Sequence, residues 1–255
     1  MLKVQNLSCG YGNHLVLKNV SFSAKAGEKI CILGANGCGK TTLLRAISGM
    51  IPFDGTVALS GQNLQNMSRT QVAKKMAVMT QASQIYFSYT IYETVMMGRY
   101  AHRSKGLFSE RESKQDKEIV KQCLQDVGLF ELKDRLITQL SGGQLQRVFL
   151  ARTFAQTPDI ILLDEPTNHL DLKYQIELSE LLTQWTKQQN RCVVGVLHDI
   201  NLALSFADSV VLMKEGEIVC HQPVNQLDLS QLEQVYDTNV SQYMRESLKR
   251  WERND

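Results

Sequence analysis

A glycine-rich loop between an apolar run and a helical pattern constrains this chain more than any other feature. Residues 34–42 match the pattern G-x-x-x-x-G-K-[ST] at each fixed position. The apolar run at residues 29–33 is typical of a buried strand. After the loop, apolar residues recur on one face at helical spacing: Leu43, Leu44 and Ile47. A strand, a loop and a helix in this order predict a polyphosphate site rather than an ordinary glycine turn.

The residue types in the loop explain how it would bind phosphate. Its glycines permit backbone angles that other residues resist, so the main chain can approach a ligand closely. Loop N–H groups and the helix N-terminus would face the phosphates, Lys40 would reach the β and γ oxygens, and Thr41 would coordinate Mg²⁺. We give Cys38 no catalytic role, because the loop binds through its backbone. The predicted nucleotide contacts here are Gly34, Asn36, Gly37, Cys38, Gly39, Lys40, Thr41 and Thr42.

Composition limits the classes of protein to which the chain can belong. Its 255 residues, 43% of them hydrophobic, suffice for one large domain or a domain with a subdomain. The net charge of +2 gives no electrostatic argument for binding nucleic acid or an anionic membrane. No signal-peptide pattern or membrane-length apolar run is present, and the six cysteines have no metal-ligand spacing. We therefore expect a soluble, intracellular protein without disulfides.

The order of strand and helix patterns predicts an α/β protein with an insertion. Residues 1–33 are interpreted as an antiparallel β region that continues through residues 50–80. The pattern becomes helical and charge-rich over residues 84–150 and returns to alternating strands and helices over residues 159–235. Alternation predicts a mainly parallel sheet, with ligands at the carboxyl ends of its strands. The tail after residue 241 is expected to be helical or frayed.

Two acidic residues end an apolar strand pattern at residues 160–163. Asp164 is suited to help hold Mg²⁺, and Glu165 to act as general base or to orient the attacking water. The alternative, a capping pair before a turn, is less favoured beside a phosphate loop. His198 also ends a strand pattern, and an imidazole there could hydrogen-bond the γ-phosphate.

A second anion site is predicted where residues 140–144, Leu-Ser-Gly-Gly-Gln, open an amphipathic helix. Exposed N–H groups, the Ser141 hydroxyl and the helix dipole would attract phosphate. Since one nucleotide already has a loop, we expect the two segments to face each other across a homodimer with two shared sites. The residues assigned to this segment are Ser141, Gly142, Gly143 and Gln144.

With these motifs in place, the chain resembles the nucleotide-binding subunit of an ABC transporter over essentially its whole length. The resemblance implies a P-loop NTPase (RecA-like) core with an N-terminal antiparallel β region and an inserted helical subdomain. We expect one ABC ATPase domain over residues 1–240, made of a core (1–83 and 151–240) and a helical subdomain (about 84–150), followed by a tail (241–255). The matching elements are Tyr11, residues 34–42, Gln81, residues 140–144, Asp164, Glu165, residues 168–171 and His198.

The resemblance also assigns roles that the residues alone do not. It implies an ATPase that uses ATP and Mg²⁺, in which Gln81 reaches the metal or the attacking water and Asp171 contacts the partner subunit. Tyr11, held between glycines, would stack on adenine. Implied partners are a second copy, transmembrane permease subunits and, indirectly, a periplasmic or lipoprotein substrate-binding protein, with no nucleic acid. The implied location is peripheral, on the cytoplasmic face of the inner (cell) membrane.

Residues 88–100 would receive a permease segment, although internal packing explains the same aromatic and methionine side chains equally well. Residues 97–102, residues 215–223 and the pair Val235-Tyr236 are similar to importers of iron–siderophore, haem and vitamin B12, and a siderophore is our first choice. One alternative is a soluble ABC ATPase that acts on nucleic acid or ribosomes. Another is a small-molecule P-loop kinase, which would not need residues 140–144.

Overall fold

The computed structural model describes residues 1–80, 88–103, 112–167, 171–188 and 190–251. Its strands are β1 (Leu2–Tyr11), β2 (His14–Ala24), β3 (Lys29–Leu33), β4 (Asp54–Leu59), β5 (Gln62–Asn63), β6 (Met76–Thr80), β7 (Ile160–Asp164), β8 (Cys192–Val196), β9 (Ser209–Lys214) and β10 (Glu217–Pro223). Its α-helices are α1 (Lys40–Ile47), α2 (Arg69–Lys75), α3 (Ile91–Met96), α4 (Lys114–Asp126), α5 (Gly142–Ala155), α6 (Leu172–Thr186), α7 (Ile200–Phe206), α8 (Leu229–Tyr236) and α9 (Val240–Trp251).

An antiparallel sheet with strand order β2-β1-β4-β5 forms the N-terminal layer. The sequence predicted this layer but assigned it too many strands. β3 and β6 lie instead in the second sheet, where they pair in parallel with β8 and β7. The prediction was wrong for them because it grouped strands by their order in the chain, although their short apolar runs lack the alternation of a half-exposed strand. Such runs are typical of strands that are covered on both faces.

The second sheet has the order β10-β9-β3-β8-β7-β6, and it is parallel except for the terminal β9–β10 hairpin. β3 therefore lies beside β8, and β8 lies beside β7. The carboxyl ends of these three strands meet at one edge of the sheet. The phosphate loop, the residue pair Asp164–Glu165 and His198 all follow those ends, as expected for ligand sites in parallel sheets.

Alternate residues of the parallel strands enter two different hydrophobic cores. In β3, Ile30 and Ile32 pack with α1 and the antiparallel sheet, whereas Cys31 and Leu33 pack with the helical layer. All four are completely buried. Burial of a Leu or Ile side chain contributes about 1.5–3 kcal/mol, so this alternation fixes the register of the sheet strongly.

Three helices, α3, α4 and α5, make up most of the helical layer. The spacing of Ile119, Val120, Cys123, Leu124 and Val127 predicts one apolar face for α4, and the structure buries all of these except Ile119, which is partly buried. The amphipathic character predicted for α5 is wrong. This helix is buried over more than one face, because α3 and α4 cover it along much of its length. Since α5 runs on to Ala155, we propose that the helical subdomain ends there rather than at residue 150.

Two predicted helices differ in their limits. The pattern over about residues 172–190 predicts a helix, which in the structure ends at Thr186. The pattern over residues 109–127 predicts another, which begins at Lys114 among the described residues, with residues 109–111 outside them. The tail after residue 241, expected to be helical or frayed, lies in α9 and is helical as far as Trp251. In the described residues, no helix combines the length and apolar character that crossing a membrane requires.

Candidate functional site

The phosphate loop has the backbone conformation that its glycines predict. Gly37 and Gly39 have φ angles of +80° and +105°, in the region that other residues avoid. Gly34 serves a different purpose, because a Cβ atom there would lie 2.3 Å from the Met213 carbonyl oxygen. Two glycines therefore shape the turn, and the third lets the loop approach β9.

Lys40 lies buried at the centre of the loop. Its Nζ donates to the carbonyl oxygens of Gly34 at 2.8 Å and Ala35 at 2.9 Å. The ammonium group is thus held where it can attract an anion before any ligand binds. Cys38 is buried beside it, and burial raises the pKa of its thiol despite the nearby Lys40 charge. The thiol therefore stays protonated, in line with the passive role that we assigned to it.

Asp164 meets the loop across the sheet edge. Its Oδ1 accepts a hydrogen bond from the Thr41 hydroxyl at 3.0 Å. Burial is the largest cause that raises the pKa of Asp164, the Glu165 charge raises it further, and the Thr41 hydrogen bond opposes both. The structure thus brings together two of the three predicted metal ligands, and both supply the oxygen atoms that Mg²⁺ prefers.

Glu165 and His198 form a close pair at the same edge. Glu165 Oε1 lies 2.8 Å from His198 Nε2, and the Glu165 N–H donates to the Val196 carbonyl oxygen. Glu165 has a φ angle of +55°, which is unusual for a residue with a side chain. Such strain persists where surrounding bonds enforce it and is concentrated at functional sites. A carboxylate held by an imidazole is suited to orient or deprotonate a water molecule.

Two tyrosines contact the loop region from opposite ends of the chain. Tyr11, the predicted adenine-stacking residue, ends β1, is half-exposed, and has its hydroxyl 3.5 Å from Arg45 Nη1. Tyr236 was missed by sequence reasoning. Its hydroxyl accepts a hydrogen bond from the Gly34 N–H at 3.2 Å. No motif marks Tyr236, and only the fold shows that the end of α8 lies behind the loop.

The second predicted anion site lies at the start of α5 and caps its own helix. Ser141 Oγ accepts the Gln144 N–H, and the Gln144 side chain accepts the Ser141 N–H, in a capping box. Gly143 packs against the Tyr174 ring of α6, where a Cβ atom would lie 2.4 Å from the ring. In the described part of the chain, no hydrogen bond joins residues 141–144 to residues 34–42. The structure therefore does not bring these two predicted sites together within one chain.

Gln146 was also missed, although it joins α5 to the acidic turn. Its Nε2 donates to the Pro166 carbonyl oxygen at 2.8 Å, and the side chain is buried. The sequence gives no signal for this role, because Gln146 resembles any polar helix residue before its burial is known. Asp171 caps α6 by accepting the Tyr174 N–H at 3.2 Å. Its position is exposed.

Two predictions fall partly or wholly outside the described residues. The predicted ligand Gln81 lies wholly outside them. Of the predicted turn at residues 168–171, only Asp171 is described. The described strand β6 ends at Thr80, which pairs with Asp164 of β7.

Comparisons with known proteins agree with this geometry. A family model described as "ABC transporter" matches residues 17–168. The uncharacterized ABC transporter ATP-binding protein YvrA of Bacillus subtilis (strain 168) is 38% identical over 248 residues, which are 96% of this chain and 56% of that protein. The petrobactin import ATP-binding protein YclP of the same organism is 37% identical over 242 residues, 94% of each chain.

A solved structure extends the likeness to three dimensions. It is described as an inward-facing conformation of a proposed metal-chelate type ABC transporter, and it is 29% identical to this chain with a TM-score of 0.79. The aligned part covers 92% of this chain and 88% of that one. Since the family model spans more than half of the residues, this chain belongs to the ATP-binding proteins of the ABC transporter family, whose members are ATPases that power transport.

Proposed function

We propose that the chain hydrolyses Mg-ATP at sites shared between two copies and thereby drives import of an iron chelate. The observation that carries this proposal is the division of the site. The phosphate loop, Asp164, Glu165 and His198 form one half at the sheet edge, while Ser141 lies elsewhere and, within the part of the chain that the structure describes, makes no hydrogen bond to that half. The second half-site must then come from another copy, and a two-fold axis provides two complete sites.

Mg²⁺ would be held by the oxygen donors of Thr41 and Asp164, which already lie 3.0 Å apart. The metal would neutralise charge on the phosphate oxygens when it is bound. Glu165 would take a proton from the attacking water, and His198 would fix that carboxylate. Lys40 would leave its two carbonyl partners for the phosphates, and Tyr11 would stack on the base. We retain Gln81 as a further ligand of the metal or the water, and Asp171 as a contact with the other copy.

Permease docking is proposed for the exposed part of residues 88–100. Tyr89, Met97 and Tyr100 are exposed, and Tyr100 is 80% accessible. A groove of about 450 Å³ is lined by Met97, Tyr100 and their neighbours. Ile91, Val95 and Met96 of the same segment are buried, so this sequence serves both internal packing and an outer surface. Docking there would place the chain peripherally, on the cytoplasmic face of the cell membrane, with a substrate-binding protein on the other side.

The chelate class is inferred from the relatives. YclP is named for petrobactin import, and the solved structure is described as metal-chelate type. An iron–siderophore is therefore our first choice, before haem and vitamin B12. These names refer to transport. They give no support to the alternative, a soluble ABC ATPase that acts on nucleic acid or ribosomes.

The shared site can be tested by the mass in solution of the variant Glu165→Gln. In this variant, which should bind ATP but hydrolyse it slowly, Mg-ATP is expected to shift the chain from monomer to dimer. The matched control is the double variant Glu165→Gln with Ser141→Arg, in which the added side chain should block the partner's nucleotide. A dimer that forms equally well with Ser141→Arg would contradict the shared site.

The substrate is tested in the assembled transporter. Membrane vesicles that contain the chain with its permease should take up radiolabelled ferric siderophore when Mg-ATP is on the side of this subunit. Haem and cobalamin serve as competing cargoes in the same assay. Preferential uptake of either one would reject the siderophore assignment and leave the ATPase mechanism intact.

A further inference from the structure

The short 3₁₀ helix Met97–His102 has two chemically different faces. Residues three apart lie above one another in a 3₁₀ helix. Met97 and Tyr100 form one such pair, and both are exposed. Arg99 and His102 form another pair, and both contact the end of α5. The segment whose sequence suggested a chelate importer therefore joins an outer surface to the helix that begins at Ser141.

Arg99 is the strongest contact of the inner face. It is buried, and its Nε lies 2.7 Å from Asp116 Oδ1 of α4. Its Nη1 donates to the Ala155 carbonyl oxygen at 2.7 Å and to the Thr157 hydroxyl at 3.1 Å. The guanidinium fork thus binds α4 and the last turn of α5 at once, which a lysine could not do with the same geometry.

Close approach of the two helices is part of the arrangement. A Cβ atom at position 98 would lie 2.3 Å from the Arg152 carbonyl oxygen of α5, so Gly98 allows the 3₁₀ helix to lie directly against α5. His102 Nε2 lies 2.9 Å from the Gln156 carbonyl oxygen. The Gln156 side chain in turn donates to the carbonyl oxygens of Ala73 and Met76 in the core.

A shift at this end of α5 would reach Ser141. A helix of this length extends about 21 Å, so a tilt of about 5° at Ala155 moves its first turn by about 2 Å. Displacement by about 1 Å of a positioned group can cost about 10²-fold in rate. The Gln146 bond to Pro166 lies near the other end of α5. A tilt would therefore be transmitted both to the Ser141 cap and to the turn that carries Glu165.

We propose that the 3₁₀ helix Met97–His102 transmits permease movement to the Ser141 end of α5, with Arg99 as the positioning residue that joins them. The inference rests on the proposed function, since it requires permease docking at Met97 and Tyr100 and nucleotide contact at Ser141. Arg99 does not touch nucleotide. It acts through Ala155, and Asp116 holds its guanidinium group in place.

The test measures ATP turnover of the chain alone and in the permease complex with cargo. The quantity compared is the stimulation ratio, which is the turnover in the complex divided by the turnover of the chain alone. Arg99→Met should lower this ratio at least about 10-fold, within the range for misplacement of a positioned group. The double variant Arg99→Met with Asp116→Asn removes the unpaired buried charge, so it keeps the test valid if the single variant folds poorly. Arg99→Lys should restore part of the ratio, because it keeps the ion pair but loses the fork. Lys121→Met is the matched control, as Lys121 forms an exposed ion pair with Glu118 on α4.

The outcomes separate this inference from the function on which it rests. A ratio that stays at the wild-type value in the folded double variant would overturn the role of Arg99. The same conclusion would follow if turnover fell by the same factor for the chain alone and for the permease complex. Ser141→Arg and Tyr100→Ala are measured in parallel. If Ser141→Arg keeps full turnover, or Tyr100→Ala keeps full permease binding, the proposed function fails and the inference fails with it. If both lose activity while Arg99→Met keeps its ratio, only the inference fails.

Discussion

The two halves of the proposed site differ in how completely one chain assembles them. One half lies at the carboxyl edge of the parallel sheet, and the other lies at the first turn of α5. At the sheet edge, side chains far apart in sequence already meet, as Thr41 does with Asp164 and Glu165 with His198. At the start of α5, the side chains of Ser141 and Gln144 cap their own helix, and among the described residues neither bonds to the phosphate loop. The sheet-edge half is assembled by the fold of one chain, whereas the α5 half is expected to meet its nucleotide only when a second copy arrives.

The difference shows where control can act. A rigid parallel sheet fixes the positions of its strand ends, so the catalytic half has little freedom to change. The α5 half is attached through hydrogen bonds at Pro166 and at the Arg99 cluster. Regulation by a partner is therefore expected to work by moving α5 rather than by rearranging the sheet edge. The predictions below ask how independent the two halves are.

The largest effect is expected for Glu165→Gln. Loss of the proposed general base should slow ATP turnover at least about 10²-fold, while ATP affinity stays at the wild-type level because the phosphate loop is untouched. Steady-state phosphate release and equilibrium binding of a fluorescent ATP analogue measure the two quantities. Turnover at the wild-type rate would remove Glu165 as the base.

A smaller loss is expected for His198→Ala. A hydrogen bond to a charged group is worth about 1.5–3 kcal/mol, which corresponds to about 10- to 10²-fold in rate. We expect the lower end, about 10-fold, because the His198 side chain is 42% exposed and water can partly replace it. In the background of Glu165→Gln the same change should have almost no further effect on turnover. Independent, multiplying losses would show that His198 acts by some route other than Glu165.

Tyr236→Phe should affect stability more than catalysis. It leaves the Gly34 N–H without its hydroxyl partner, at a cost of about 1 kcal/mol. For a chain of this size the melting temperature should fall by about 2–4 °C. Tyr100→Phe, at an exposed position, is the control. An unchanged melting temperature for Tyr236→Phe would show that water replaces the hydroxyl without loss.

Sequence reasoning predicted the sheet-edge half more completely than the α5 half, for a physical reason. A phosphate loop and acids that end an apolar strand are local patterns, and parallel pairing brings such strand ends together. Arg99, Asp116 and Tyr236 act through contacts between distant segments, and no local pattern marks them. The assignment of β3 and β6 to the antiparallel layer was wrong for a related reason, since five-residue apolar runs carry no information about their pairing partner.

The α5 half was also predicted with the right helix start and the wrong surroundings. The Ser-Gly-Gly-Gln order indicates a helix start, and the structure adds a capping box at Ser141 and Gln144. The burial of α5 does not follow, because apolar residues on several sides of a short helix show only that it is covered. Which helices cover it depends on the whole layer. Residues 97–102 illustrate the same limit. Their sequence suggested a class of importer, whereas their contacts show that they connect the 3₁₀ helix to α5.

The smallest effect is expected from acidification. It allows the contact between residues 97–102 and α5 to be compared with the rest of the molecule. Burial lowers the pKa of His102, and the Arg99 and Lys74 charges lower it further, whereas the hydrogen bond to the Gln156 carbonyl oxygen and the Asp116 charge oppose this. Burial and the Lys25 charge lower the pKa of His221 likewise, against the charge of Glu28. Because the unfolded chain takes up these protons first, stability should fall as pH drops through about 6.5 and level off below the folded-state values.

Urea unfolding between pH 7 and pH 5 separates the two histidines. His102→Gln should flatten part of the pH dependence, His221→Gln should flatten another part, and His14→Gln is the control for loss of an exposed imidazole. Acid could also loosen the contacts that Arg99 and His102 make with the end of α5. In that case, the last turn of α5 in the wild-type chain should exchange its amide hydrogens faster at pH 5 than at pH 7, after correction for the intrinsic rates. The variant His102→Gln should lack that difference. Equal protection of α5 at both pH values would show that His102 affects stability without loosening the attachment of α5.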